Sequence, residues 1–245
     1  MKSVKLQLLV TFVAAAMAVA LLSAKGLPPT TSLQTAVVQE DLEQVRRNLA
    51  WVPERATRKL DESGRTPLHL AASRHVCHAE VMVGLFLDAG IDPNVRDDCG
   101  RTPLHYAAQG RSAGPLGSLI LARDGTDGLK ESFRVAKLLV TRRASVGAED
   151  DFGGTPLHDA AECGEPETVG LLLANGARVN RQDAADRTPL HYGAAGGDVA
   201  VVELLLADDG DVNAKDIWGK TPLALAVEGR HRDVAALLRR RGARE

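Results

Sequence analysis

An eight-residue phrase that returns along the chain constrains its fold more than any other feature. "RTPLHLAA" at Arg65 recurs as "RTPLHYAA" at Arg101, "GTPLHDAA" at Gly154, "RTPLHYGA" at Arg187 and "KTPLALAV" at Lys220. The threonines stand at positions 66, 102, 155, 188 and 221, giving spacings of 36, 53, 33 and 33 residues. A base period of 33 marks a stack of like units, each too small to bury its own apolar face without neighbours. An aliphatic cluster follows every copy, as in "VGLLLANGA" and "VELLLADDG", and an Asp precedes every Thr by five residues: Asp61, Asp97, Asp150, Asp183 and Asp216. Thr can cap the N–H groups that open a helix. Pro at the first helical position leaves no donor orphaned, and Leu then faces the adjoining unit. Each copy reads as a helix-turn-helix unit with a projecting loop.

These residues resemble the ankyrin repeat, whose 33-residue unit carries Thr-Pro-Leu-His at the start of its inner helix. The resemblance covers five units over Asp61–Glu245. A degraded unit precedes them: "LQTAVVQEDLEQVRRNLA" keeps apolar Leu33, Ala36, Leu42, Val45 and Leu49 beneath a face of Gln, Glu and Arg, as an N-terminal cap requires. "LLRRRGARE" supplies a polar C-terminal end. The expected fold is an all-α ankyrin-repeat solenoid of about six helix-turn-helix units with projecting loops or β-hairpins. Its units span 32–60, 61–96, 97–149, 150–182, 183–215 and 216–245.

The resemblance implies a protein-binding module and no enzyme. In that family, variable loop-tip and inner-helix positions form a concave partner face, and six residues here are candidates for it. Arg65, Arg101, Arg187 and Lys220 share one slot, a basic line suited to an acidic partner segment. Phe152 and Trp218 place large aromatics at tips in a chain only 3% aromatic, and aromatic anchors commonly dominate interface energy. The resemblance also implies that His69, His105, His158 and His191 hydrogen-bond backbone between repeats. Stacked about 10 Å apart, they cannot share a metal ion.

The N-terminus is different in kind. Lys2 and Lys5 precede an apolar run from Leu6 to Leu22, and Ala18-Val19-Ala20 offers small residues where a signal peptidase reads them. Residues 1–20 read as an export signal and 21–31 as a linker, with Pro28 and Pro29 barring a helix. Export delivers the repeats to a periplasmic or secreted location. The alternative is an uncleaved anchor holding them on the non-cytoplasmic side, although the run is shorter than the about 20 residues of a comfortable span.

Other chemistry finds little support. Acids and bases are spread evenly around a net charge of −2, whereas a nucleic-acid binder concentrates basic surface. His75, Cys77 and His78 in "RHVCHAE" make a remote metal or enzymatic alternative, but a structural zinc site wants four ligands, and His78 matches the family's usual His before the outer helix. Cys77 and Cys163 map two units apart, roughly 20 Å, and Cys99 lies at a loop tip, so no disulfide is expected within the monomer. No cofactor or small-molecule substrate is expected, and the partner is a protein.

Departures from the pattern carry their own expectations. The excess in the third unit is placed at Arg111–Lys130, between its two helices, where a longer surface connection costs little. Asp186 and Asp209 replace glycines at turns, which suggests a less regular unit. Gly193 replaces a helical Ala and should weaken its helix by up to ~1 kcal/mol.

Overall fold

The computed structural model describes residues 30–73, 78–110 and 128–244. The apolar N-terminal run, the insertion from 111 to 127, and His75 and Cys77 lie outside the described residues. Within them, twelve α-helices are arranged as six pairs. The pairs are α1 (Leu33–Val38) with α2 (Leu42–Trp51), α3 (Pro67–Ala72) with α4 (Ala79–Asp88), and α5 (Pro103–Ala108) with α6 (Gly128–Thr141). They continue as α7 (Pro156–Glu162) with α8 (Pro166–Ala174), α9 (Pro189–Gly196) with α10 (Val199–Ala207), and α11 (Pro222–Glu228) with α12 (Arg232–Arg240). The first helix of each pair packs on the first helix of the next, and the second on the second. An inner and an outer helical layer result, with the core between them.

The repeated phrase explains where the inner helices begin. Thr66 is an extended N-cap and Pro67 the first helical residue. The Nδ1 of His69 accepts the Thr66 backbone N–H at 3.1 Å and lies 2.9 Å from the Thr66 hydroxyl. An Nδ1 that accepts an N–H carries no proton, so the imidazole is the neutral tautomer protonated at Nε2. That Nε2–H donates to the Arg101 carbonyl of the next unit at 3.0 Å. His105, His158 and His191 repeat the bond to the carbonyls of Gly154, Arg187 and Lys220. One side chain therefore caps its own helix and staples the following unit. The last repeat has Ala224 instead, and there Thr221 Oγ1 accepts the Ala224 N–H directly at 3.3 Å.

Leucine after each proline forms the seam between units. Leu68, Leu104, Leu157, Leu190 and Leu223 are sealed from solvent, as are Phe86, Leu139, Leu172, Leu205 and Leu238 of the outer helices. The first unit closes its end as a cap should, burying Leu33, Ala36, Val37, Val45 and Leu49. The last helix buries Val234, Ala235, Leu237 and Leu238 while Arg239, Arg240 and Arg241 face water.

The structure bears on four of these expectations. The outer helix of the third unit begins at Gly128, so the last three residues of the expected 111–130 insertion are its first turn. Glycine's cost in a helix is the backbone freedom it gives up, which is greatest in the interior and less at the first turn. Asp186 and Asp209 do not disorder their unit: they take left-handed φ of 56° and 63°, as Gly153 and Gly219 do at the Asp186 position (75° and 74°). Gly193 has a packing reason, because an added Cβ would lie 3.1 Å from Val201 Cγ1 and 3.4 Å from Leu205 Cδ1. The outer helix packs too close to leave easy room for a methyl. No strand occurs among the described residues, so the projections are turns rather than β-hairpins.

Candidate partner-binding face

Each projecting loop is organised by the Asp five residues before Thr. Asp97 Oδ1 accepts the N–H groups of Cys99 and Arg101, both at 2.9 Å, while the Asp97 N–H donates to the Arg101 carbonyl at 3.0 Å. Asp61, Asp150, Asp183 and Asp216 close their loops through the same pair of side-chain bonds. The residue before each slot residue must then turn left-handed, which is why Gly64, Gly100, Gly153 and Gly219 recur there.

Closed loops stack into a row. Ser63 O accepts from Asp98 N at 3.0 Å, Cys99 O from Asp151 N at 2.9 Å, Phe152 O from Ala184 N at 2.7 Å, and Ala185 O from Ile217 N at 3.0 Å. The tips of five units are thereby held in register, and their side chains change character along the row. The first two tips carry Glu62, Ser63, Asp98 and Cys99; the third carries Asp151 and Phe152, and the last two Ala184, Ala185, Ile217 and Trp218. Phe152 is 70% exposed, Ile217 56% and Trp218 61%, whereas Phe86 in the core is fully covered. Three large apolar side chains left in water, on two tips that flank the alanine tip, form a candidate contact surface.

The four basic residues of the shared slot sit just below this row, each already paired within the chain. Arg65 Nε meets Asp61 at 2.8 Å, Arg101 Nη2 meets Asp159 at 2.6 Å, Arg187 Nε meets Asp216 at 3.3 Å, and Lys220 Nζ meets Glu228 at 2.8 Å. Arg101 also lies over Tyr106, 5.2 Å from its centroid, and Arg187 lies between Tyr192 and Trp218 at 6.0 and 5.0 Å. The tyrosines are fixed in turn: Tyr106 donates to Asp97 Oδ2 and Tyr192 to Asp183 Oδ2, each at 2.6 Å. Each charge of the basic line is paired with a carboxylate, and the Arg101 and Arg187 guanidinium groups are also braced by aromatic rings.

Burial and pairing set the protonation of this face. Burial pushes the four motif histidines down, His105 to about 4, which suits their role as neutral staples. Burial pushes the Asp159 carboxyl up to about 6 even with the Arg101 guanidinium against it. Burial also works against the Arg101 charge, yet the Asp159 carboxylate more than offsets it and holds the guanidinium protonated. For Asp216 the N–H groups of Lys220 and Trp218 and the Arg187 guanidinium outweigh burial and keep the carboxyl below the usual range.

Sequence reasoning missed Asp159, Tyr106, Tyr192 and Gln109. A signal existed: the residue after the motif His is Tyr in two units and Asp in a third, at a position that in the other copies is Leu. Of the remote metal alternative, only His78 is described. It is exposed, with a left-handed φ of 57°, and its Nδ1 lies 3.9 Å from Glu40 Oε2. Among the described residues no three potential ligands converge as a metal site. Nor is any helix among them long and apolar enough to cross a membrane.

A family model described as ankyrin repeats (3 copies) matches residues 33–117, 128–216 and 183–244. No curated protein matches the chain.

Proposed function

The chain belongs to the ankyrin-repeat family, and from that premise we propose that it binds a protein partner through its loop tips and inner helices after export. Ankyrin repeats are in general protein–protein interaction modules and typically non-enzymatic. The observation that carries the finer reading is the exposure of Phe152, Ile217 and Trp218 along one row of loop tips, with the Phe152 tip and the Ile217–Trp218 tip each hydrogen-bonded to the Ala184–Ala185 tip between them. A monomer in water keeps such side chains uncovered at a cost of roughly 25 cal/mol for each Å² of apolar surface, which docking recovers. Export rests on Lys2, Lys5, the apolar run Leu6–Leu22 and Ala18-Val19-Ala20. A tethered form with the same binding face is the second reading, in which the apolar run is left uncleaved.

Site-specific photo-crosslinking tests the face. A crosslinker at Ile217 should trap a partner in the exported fraction, and one at Glu203 on the outer helix α10 should not. Once the partner is identified, Phe152→Ala and Trp218→Ala should each weaken binding by ~2 kcal/mol or more with the melting temperature unchanged. Adducts from Glu203 alone would move the site to the outer layer. The mass of the purified chain separates the two N-terminal readings: loss of residues 1–20 means release, and intact Met1 means a tether.

A further inference from the structure

Two units of this protein set an arginine over a tyrosine, and they differ in which guanidinium nitrogens find an acceptor. In the third unit Arg101 lies over Tyr106, whose hydroxyl is fixed by Asp97. Arg101 Nη2 donates to Asp159, on the inner helix of the next unit, at 2.6 Å. With its amide oxygen turned towards Arg101, Gln109 accepts from both terminal nitrogens at 2.9 Å. The fifth unit repeats the base of this arrangement: Arg187 lies over Tyr192, whose hydroxyl is fixed by Asp183. The acceptors are gone. Counted from the motif Thr, Leu225 stands where Asp159 stands, and Ala195 where Gln109 stands.

The consequence is visible in the hydrogen bonds. Arg187 is anchored through Nε to the buried Asp216, and its terminal nitrogens meet no acceptor among the described residues. They are not sealed away either, since the side chain keeps 30% of its surface in water and none of its nitrogens is a buried, unsatisfied atom. A guanidinium held by a carboxylate on one edge and by rings on its faces has little freedom left, so an acceptor reaching its open edge orders little further. Trp218 continues the site outward as an apolar wall, and beside it Ala184 and Ala185 leave the row of tips low between Phe152 and Ile217.

We infer that Arg187, Tyr192 and Trp218 form a subsite for an Asp or Glu side chain of the partner, flanked in the partner by a large apolar residue that packs on Trp218. The inference rests on the face proposed above and specifies its chemistry. Asp159 on Arg101 shows within the same molecule the contact that the partner's carboxylate makes on Arg187. Planar charge-assisted pairing of this kind is stronger than a neutral hydrogen bond and discriminates a carboxylate from an amide. Of the acids near the site, Asp183 is committed to Tyr192 and two N–H groups, Asp216 to Trp218, Lys220 and Arg187, and Glu228 to Lys220, while exposed Glu162 at the end of the preceding inner helix lies within electrostatic reach of Tyr192.

The test pans a displayed library of short random peptide segments, both ends covered, against the full chain and four variants: Arg187→Gln, Phe152→Ala, Ala195→Gln and Glu203→Ala. The expected segments carry Asp or Glu beside an aliphatic or aromatic residue. They should bind Arg187→Gln about tenfold more weakly or worse, and Glu203→Ala as tightly as the parent. In synthetic copies, exchanging the acid for its amide should cost about tenfold against the parent and nothing against Arg187→Gln. Ala195→Gln alters an exposed residue and supplies the amide that Gln109 provides in the third unit, so it should also weaken the acidic segments. Segments that lean on Phe152 but ignore Arg187, that carry Lys or Arg instead of an acid, or that bind Ala195→Gln unchanged overturn the carboxylate subsite and leave the face standing. Enrichment that depends only on Glu203, or none at all, overturns the face and the subsite together.

Discussion

Acidification should loosen this stack through its histidine staples, and the size of the effect follows from two groups. The His105 imidazole sits at about 4 in the folded chain against an ordinary 6.5, so between those values the unfolded chain binds the additional proton. Stability gained above the ordinary value is lost as pH falls towards the folded one. From about pH 7 to about pH 5 His105 alone costs about 2 kcal/mol. Asp159 acts in the opposite sense. Its carboxyl is raised from 3.8 to about 6, so the folded chain binds that proton first and regains about 1 kcal/mol over the same interval. The pair leaves a net loss on the order of 1 kcal/mol, and His69, His158 and His191, all shifted downward by burial, add to it. Asp61 and Asp216, shifted below 3.8, act only in stronger acid.

Urea unfolding at stepped pH reads this directly, provided the slope with denaturant stays constant. Asp159→Asn removes the opposing group, so its loss from about pH 7 to about pH 5 should exceed the parent's by about 1 kcal/mol. His105→Gln removes the titration, and its profile should be flatter by about 2 kcal/mol. The last repeat, which folds with Ala224 in place of the histidine, shows that a unit can close without one. A parent chain that gains stability on acidification, or an Asp159→Asn profile parallel to the parent's, would refute the reasoning.

Leu157→Ala, at a fully covered position between stacked units, should cost ~2–5 kcal/mol in thermal or urea melts and lower partner binding only through unfolding. Asp186→Gly and Asp209→Gly relieve left-handed backbone that glycine adopts freely, and each should raise stability by up to ~1 kcal/mol; a lower melting temperature would show that the aspartate side chains contribute more than the backbone strain removes.

The sequence by itself determined the unit, its period, its order along the chain and both end caps. These are local matters. Thr-Pro-Leu-His carries the cap, the first helical residue, the seam and the staple within four positions, and the Asp five residues earlier closes the loop through bonds spanning two and four residues. In a stack whose units touch only their neighbours, a repeated local pattern suffices to specify the architecture. The 53-residue spacing likewise exposed the insertion, but its end could not be read, because the glycine at 128 that suggests a loop is equally at home in the first turn of a helix. What only the tertiary structure decided is the state of the basic slot. Arg65, Arg101, Arg187 and Lys220 look alike in sequence, yet Arg101 is paired across 58 residues to an aspartate of the next unit and Arg187 is left with an open edge. That difference depends on which side chains from two separate repeats arrive at one place. A short motif carries no record of the neighbour that stacking will bring against it.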